Sequence, residues 1–464
     1  MSLLSLNEDA LLLLVSFLSS QDALRLSETS RKVHLIGIQQ ALSSVTLTMP
    51  HQLPLLHKFL LCPSAGHHIL FLRHLRTRWN VWGVNARPDF SNIALLADIL
   101  EQALRLKSVC LHIFDELIKA EPRILSALVA LDGLENVEGI RTRSFTLESL
   151  HRFRSGLKKL RLCFADEYFY GGVQLARPAS YFGQLSVLRE LEDLDLHNLR
   201  ITYDEPASQY TVQPYAGPRW PAIRHLTLST VSIPAPLLAY AFPNVEHAAL
   251  DNVAITDVAA LQWITPEDTT RMHAAPVHSI DLDATYGYSL YGLKDWHVDV
   301  LRTMSPFLLS VTAAPLMDSW PELIQLAPRL KYLYARLNTG QMLITESQSN
   351  LVQKWLDTVP ALLPSGVICV RVYVQDPGQY WHDEIRDKVF NAVPSVWYIA
   401  AQSVHYREDS PESDVIWWRV DRTADTRRLV EISREAGAGV HAYLHSGEFE
   451  KRVRDDDASI PVFG

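Results

Sequence analysis

Cysteine is scarce and scattered: Cys62, Cys110, Cys163 and Cys369 are the only four in 464 residues. A disulfide framework needs many cysteines in a short chain, and a structural zinc site needs CxxC-like spacing, so neither is expected. Isolated thiols in apolar surroundings read as small buried hydrophobes of a reducing compartment, cytoplasm or nucleus. Concentrated positive charge is also missing. The chain carries 52 acidic against 43 basic side chains, a formal charge of −9, with no long basic stripe. That argues against nucleic acid as a partner, because phosphate neutralisation needs clustered Lys and Arg. No apolar run approaches the roughly 20 residues that span a bilayer, so no membrane partner is expected either. The run ALLLLVSFL, residues 10–18, has the length of a signal-peptide core. Yet no Lys or Arg precedes Arg25, and Glu8 and Asp9 stand where positive charge belongs.

Signatures of chemistry are absent as well. There is no P-loop, GxGxxG, HExxH or GxSxG element. GAGVH, residues 437–441, reads as a turn. His67 and His68 are adjacent and point apart on any regular element, which is poor metal geometry. His225 and His247 occupy equivalent strand positions and can face each other, but no third ligand is evident. No catalytic residue, metal or cofactor is assigned, and the chain is expected not to be an enzyme.

What is present begins with NEDALLLLVSFLSSQDALRLSETSRKV, residues 7–33. Asn7 can cap a helix whose first turn carries Glu8 and Asp9, where carboxylates complement the helix dipole. Ala10 to Val15 with Phe17 and Leu18 make that helix apolar almost all round, so it needs cover on most sides. Ser19, three residues before Asp22, resembles a capping pattern for a second helix. A third follows from TSRKV to about Leu42. Roughly 40 residues in three short helices rarely hold a core alone, so the apolar excess is expected to dock on the rest of the chain or on a partner.

The run from Leu6 to Val33 resembles the F-box motif without a gap. Leu6 matches its opening leucine, and Leu11, Leu14, Val15, Phe17 and Leu18 its first helix. Asp22 matches its central acid, Leu24 and Leu26 its second helix, and Ser30-Arg31-Lys32 its serine-basic-basic end. Asn7 stands where the family usually has proline, and Val33 where it has tryptophan. The resemblance implies binding to the Skp-family adaptor, and through it to a cullin-based ubiquitin ligase. Leu6, Leu11, Leu14, Val15, Leu18, Leu24 and Leu26 would be the adaptor contacts.

Beyond residue 42 one pattern recurs: apolar, two residues, apolar, one residue, apolar. Copies start at Leu42, Leu72, Leu106, Leu134, Leu157, Leu191, Ile223, Val245 and Val277, with weaker ones at Leu308, Leu330, Val367 and Val396, 22 to 37 residues apart. Helical stretches such as ALLADILEQALRL lie between them. One strand and one helix per unit at this period predicts a solenoid, each unit burying its face on its neighbours. An ordinary doubly wound α/β domain would show a phosphate-binding glycine loop and has room for fewer strands. The LxxLxL core resembles the leucine-rich repeat, without its usual asparagine. The whole resembles the F-box proteins with divergent leucine-rich repeats of mushroom-forming fungi. The expected fold is α/β: a three-helix module at 1–45, a repeat solenoid with a parallel sheet at 46–404, and a polar linker, capping strand and charged, frayed tail at 405–464. VIWWRV supplies the capping strand with Trp417 and Trp418, and 203–221 is expected to be a surface loop.

In LxxLxL the residue between the last two apolar positions points away from the core. That places Arg161, Asp195, Thr227, Ala249, Asp281, Thr312, Tyr334 and Arg371 on one face, flanked by Asp193, His225, Asp283, Tyr332 and Arg336. Acidic, aromatic and basic groups there suit a protein substrate segment carrying basic residues; equally, they are what any solvated strand face requires. Asp193, Asp195, His225, Asp281, Asp283, Tyr332, Tyr334 and Arg336 are the substrate-binding candidates. The sequence reading is thus a ligase substrate receptor. Its rivals are a repeat scaffold whose first helices only cap the solenoid, and an enzyme with an unrecognised site.

Overall fold

In the computed structural model of the chain, Asn7 caps the first helix, its Oδ1 accepting the Ala10 N–H at 2.8 Å. This helix, α1 (Glu8–Ser16), is followed by α2 (Ser20–Ser27), whose capping Ser19 accepts the Asp22 N–H at 3.2 Å. Ser30 caps the third, α3 (Arg31–Ser43). Leu11, Val15, Ala23, Val33, Ile36 and Ala41 close a small core between them, with Leu6, Leu18 and Leu26 packed against it. Gly37 permits this closure: a Cβ there would lie 2.7 Å from the Ala23 carbonyl oxygen and from Ser27 Cβ.

The structure describes residues 6–62, 68–82, 88–143, 149–153, 156–164, 173–175, 189–201, 220–229, 231, 242, 244–251, 277–283, 301, 304–313, 320–337, 348–375, 381–407, 410–423, 426–454, 461 and 463. They belong to two units, Met1–Asp204 and Glu205–Gly464. The expected loop at 203–221 lies almost wholly outside the described residues.

In the first unit, after the helical module, come β1 (Ser44–Leu47), β2 (His74–Thr77), β3 (Ser108–His112), β4 (Asn136–Thr142), β5 (Lys159–Phe164), β6 (Val173–Leu175), β7 (Asp193–His197) and β8 (Leu199–Ile201). β1, β2, β3, β4, β5 and β7 pair in parallel in chain order, and β6 pairs with β8 separately. The helices α4 (Gln52–Leu60), α5 (Ile93–Gln102), α6 (Phe114–Ala120) and α7 (Arg123–Ala130) lie between strands. Strand alternation drives Leu75, Val109, Val137, Leu160 and Leu194 into the core on one rung, and Leu111, Leu162 and Leu196 on another; all are essentially buried. Two strands leave the sheet through a left-handed residue, Ile113 (φ 55°) after β3 and Asn198 (φ 56°) after β7. Asparagine tolerates that conformation, whereas a β-branched isoleucine is strained in it.

In the second unit, β9 (His225–Ser229), β10 (His247–Asp251), β11 (Ser279–Asp283), β12 (Leu308–Ala313), β13 (Tyr332–Leu337), β14 (Cys369–Gln375) and β15 (Tyr398–Arg407) pair in parallel in chain order. Between them sit α8 (Trp320–Gln325), α9 (Gln348–Thr358) and α10 (Trp381–Ala392). Two antiparallel strands finish the sheet, β16 (Ser410–Thr423) and β17 (Thr426–Ile432), then α11 (Arg434–Leu444) and α12 (Gly447–Arg454).

Both units are therefore leucine-rich-repeat-like α/β, and each of the thirteen sequence motifs lies on a parallel strand. A common junction replaces the missing asparagine. At most strand entries, two consecutive N–H groups donate to one carbonyl of the preceding repeat: Lys107 and Ser108 to Arg73, Glu135 and Asn136 to Lys107, Ile368 and Cys369 to Lys331. That shared carbonyl satisfies backbone donors at these steps without a side chain.

Three expectations need correction. Residues 405–414 do not form a linker, because β15 and β16 make one hairpin whose pairs run through His405↔Glu412 to Arg407↔Ser410. GAGVH lies inside α11 and not in a turn. Gly437 is needed there because a Cβ would stand 2.3 Å from the Trp417 ring. The tail is not simply frayed: α12 is helical, and Phe463 packs on the core beneath α11.

Candidate functional site: partner-binding surfaces

The N-terminal module has two populations of leucine. Leu11 and Val15 are consumed by its own core, and Leu6, Leu18 and Leu26 are half-buried against it. Of the seven expected contacts only Leu14 and Leu24 are exposed, while Leu6, Leu18 and Leu26 offer a partner part of their surface. The surface the module does present includes residues not singled out as contacts: Leu12, Leu13, Phe17 and, on α3, Leu35. Leu13, Leu14 and Phe17 fall within about 100° around α1, a contiguous apolar stripe. Phe17 is 79% exposed and Leu13 61%. The all-round hydrophobicity of this helix was legible in the sequence; which side closes the core was not, because both sides are leucine.

On the first unit's polar face, Arg76, Cys110, Glu138, Arg161 and Asp195 stand side by side across β2, β3, β4, β5 and β7. Arg76 Nη2 reaches Glu138 Oε2 at 2.9 Å, and Arg161 lies 3.4 Å from Glu138 and 3.1 Å from Asp195. His197 Nε2 is 2.6 Å from the other Asp195 oxygen, and Lys159 pairs with Asp193 at 3.4 Å. Both acids expected to attract a basic segment are already neutralised by their neighbours. Burial, then Glu138, pushes the Cys110 thiol up to about 12, so it stays protonated and unreactive.

In the second unit the sequence frame slips at one strand. Asp281 is level with Ser310, Tyr334 and Arg371, whereas Thr312 is level with Asp283 and Arg336. The repeat here starts at Pro306 and not Leu308, so Leu309 and Val311 fill the core. For Asp283 only the backbone position is described.

The lower rung of this face is not free. Leu308, Tyr332, Cys369 and Tyr398 are covered by Val440, Tyr443 and Leu444 of α11 and by Phe449 and Val453 of α12. Tyr332 is therefore core: its hydroxyl lies 3.1 Å from His441 Nδ1 and offers no surface to a substrate. Histidines line the same junction. His225 and His247 stack with ring centres 5.1 Å apart, and His247 meets His278 edge-on at 5.3 Å. Burial holds the imidazole of His278 down to about 4, opposed by Glu450 at 3.9 Å, and does the same to His441. No three of these residues, nor any other His, Cys, Asp or Glu among the described residues, are placed to hold a metal ion.

The next rungs are partly exposed: Tyr334, Arg336, Arg371 and Gln402 are each half-buried. Arg336 pairs with Asp281 and lies over the Tyr334 ring at 5.6 Å. Arg371 lies 4.5 Å from the Tyr334 ring centre and 5.8 Å from that of Trp417. Its Nη2 donates to Gln402 Oε1 at 2.6 Å, and the Tyr334 hydroxyl donates to the same oxygen at 3.2 Å.

No family model matches the chain, and no curated protein matches it. Among solved structures, the leucine-rich repeat-containing protein LegL7 from Legionella pneumophila is similar over 90% of this chain and 99% of its own, at 13% identity and a TM-score of 0.36. At that level the likeness adds nothing to what strand order and register establish. What that order and register establish is an α/β repeat fold with a parallel sheet in each unit. Among the described residues, no helix is long and apolar enough to cross a membrane.

Proposed function

We propose that this chain is a substrate receptor of a cullin-based ubiquitin ligase, binding the Skp-family adaptor through α1 and α2 and a protein substrate through the polar faces of its sheets. The observation that carries the reading is the apolar stripe Leu13, Leu14 and Phe17, outside a core that closes without it. A helix needing only to cap a repeat array would turn such residues inward, and exposed apolar stripes mark interaction sites. The F-box resemblance of residues 6–33 names the partner. Catalysis belongs to other subunits in this reading, and the chain supplies proximity and orientation.

Co-purification of the full chain with the Skp-family adaptor tests it, comparing wild type with Leu13→Asp/Phe17→Asp. Both positions are solvent-facing, so the double variant keeps its fold and should lose the adaptor. A folded wild type that captures no adaptor leaves a repeat scaffold without a ligase role.

A further inference from the structure

We infer that the partly exposed half of the second unit's polar face, centred on Arg371, Tyr334 and Arg336, docks an acidic segment of a partner protein. The inference rests on the reading of this face as a partner platform, and it reverses the basic segment that the sequence suggests.

The reversal follows from where the charges are spent. On the first unit's face, Asp193 and Asp195 each sit beside a cation within 3.4 Å. On the second, Asp281 is taken by Arg336. No described acid on either face waits for a lysine or arginine from outside.

Arg371 is different. The described groups that hold it are uncharged: the Tyr334 and Trp417 rings, the Tyr332 hydroxyl and the Gln402 amide. Among the described residues no carboxylate pairs with it. Nearby Arg336 carries a second positive charge, paired with Asp281, and the tyrosines and the histidine beside Arg371 are neutral. Burial keeps Tyr332 and Tyr334 protonated and His441 unprotonated. The result is a guanidinium fixed in place by two aromatic faces, a hydroxyl and one amide, with no carboxylate against it among the described residues, on a chain of net charge −9.

A planar guanidinium already held in one orientation binds a carboxylate with little further ordering cost, through short charge-assisted hydrogen bonds. Arg336, one strand away and two residues along, gives a second carboxylate the chance to compete with Asp281. Two cations beside a tyrosine ring suit a peptide with one or two acidic side chains. They are too few for a polyphosphate backbone, whose binding needs many.

The test uses the full chain and fluorescence anisotropy with a labelled poly-glutamate peptide, and a poly-lysine peptide of equal length. The glutamate probe should bind and the lysine probe should not. Arg371→Gln should weaken the glutamate probe about tenfold or more. Lys159→Gln on the first unit should leave it unchanged. If Arg371→Gln does not fold, Arg336→Gln, at a half-exposed position, should weaken binding about threefold. Preference for the lysine probe, no binding of the glutamate probe, or undiminished binding by the folded variants would overturn the inference. Adaptor capture reads α1 and is untouched by Arg371→Gln, so the two proposals can fail separately.

Discussion

Phe17 gives the sharpest test of the adaptor reading. Fully burying a leucine or phenylalanine contributes about 1.5–3 kcal/mol. Phe17 is 79% exposed and Leu13 61%, so an interface covering them gains about 2 kcal/mol from the first and about 1.5 from the second. Phe17→Ala should then weaken adaptor binding about 30-fold, and the double alanine variant about 300-fold if the two contributions add. Neither change touches the module's core, so thermal stability should shift by less than about 0.5 kcal/mol. Leu11→Ala should do the opposite, because Leu11 is 1% exposed. Truncating it costs about 2–5 kcal/mol of module stability. Calorimetric titration with purified adaptor, beside far-ultraviolet circular dichroism melts, separates the effects. Wild-type affinity in Phe17→Ala would refute the argument, because no contact surface on α1 is as large.

The junction beneath α11 should be acid-sensitive. His278 is buried and held near 4, against about 6.5 when unfolded, so it is neutral in the folded chain while the unfolded chain takes up a proton between those values. Its contribution, about 3 kcal/mol, is complete above about pH 6.5 and lost as pH falls toward 4; His278→Gln should flatten that part of a pH–stability curve. Gly437→Ala should destabilise by about 1–3 kcal/mol and shift tryptophan fluorescence. The new methyl meets the Trp417 ring, although alanine is otherwise the better helix former. Gly447→Ala, with nothing within 4 Å, is the neutral control. Gly37→Val should unfold the N-terminal module and abolish adaptor capture without altering its surface, read by limited proteolysis.

The repeat strands were legible because each needs two inward apolar residues in alternation, and a leucine or valine before them to close the preceding turn. Where both frames are apolar, as in Pro306 to Ala313, the pattern does not fix register, and the slip at β12 followed. Asn7 and Ser19 announced their helices because a short polar side chain before an apolar run has one use there, and Ser30 caps the third in the same way. The fold-back of α11 and α12 was not legible. It depends on Gly437 matching Trp417 and on Tyr443, Leu444 and Phe449 matching residues far earlier in the chain, such as Leu308, and no local pattern encodes such a match. Charge was misread for a related reason. The sequence shows Asp193 and Asp195 as acids, while only the register brings Lys159 and Arg161 level with them.

Register also explains why each unit's face can be selective. In a parallel sheet, side chains level on adjacent strands stand close enough for long polar groups to meet. A polar face of mixed sign therefore pairs with itself before it pairs with anything else. Glu138, Arg161 and Asp195 do so in a row, and a partner competing for any one of them must replace an interaction already made. Such rows contribute solubility and discourage unrelated charged segments more than they attract a particular one. Attraction is left to positions where neighbouring strands fail to supply the opposite charge. At Arg371 the adjacent strands offer Tyr334 and Ala400, and the strand beyond offers Trp417, none of which can neutralise a guanidinium. The aromatic groups fix its plane without discharging it, and this leaves a preformed guanidinium donor for a carboxylate on the second unit's face.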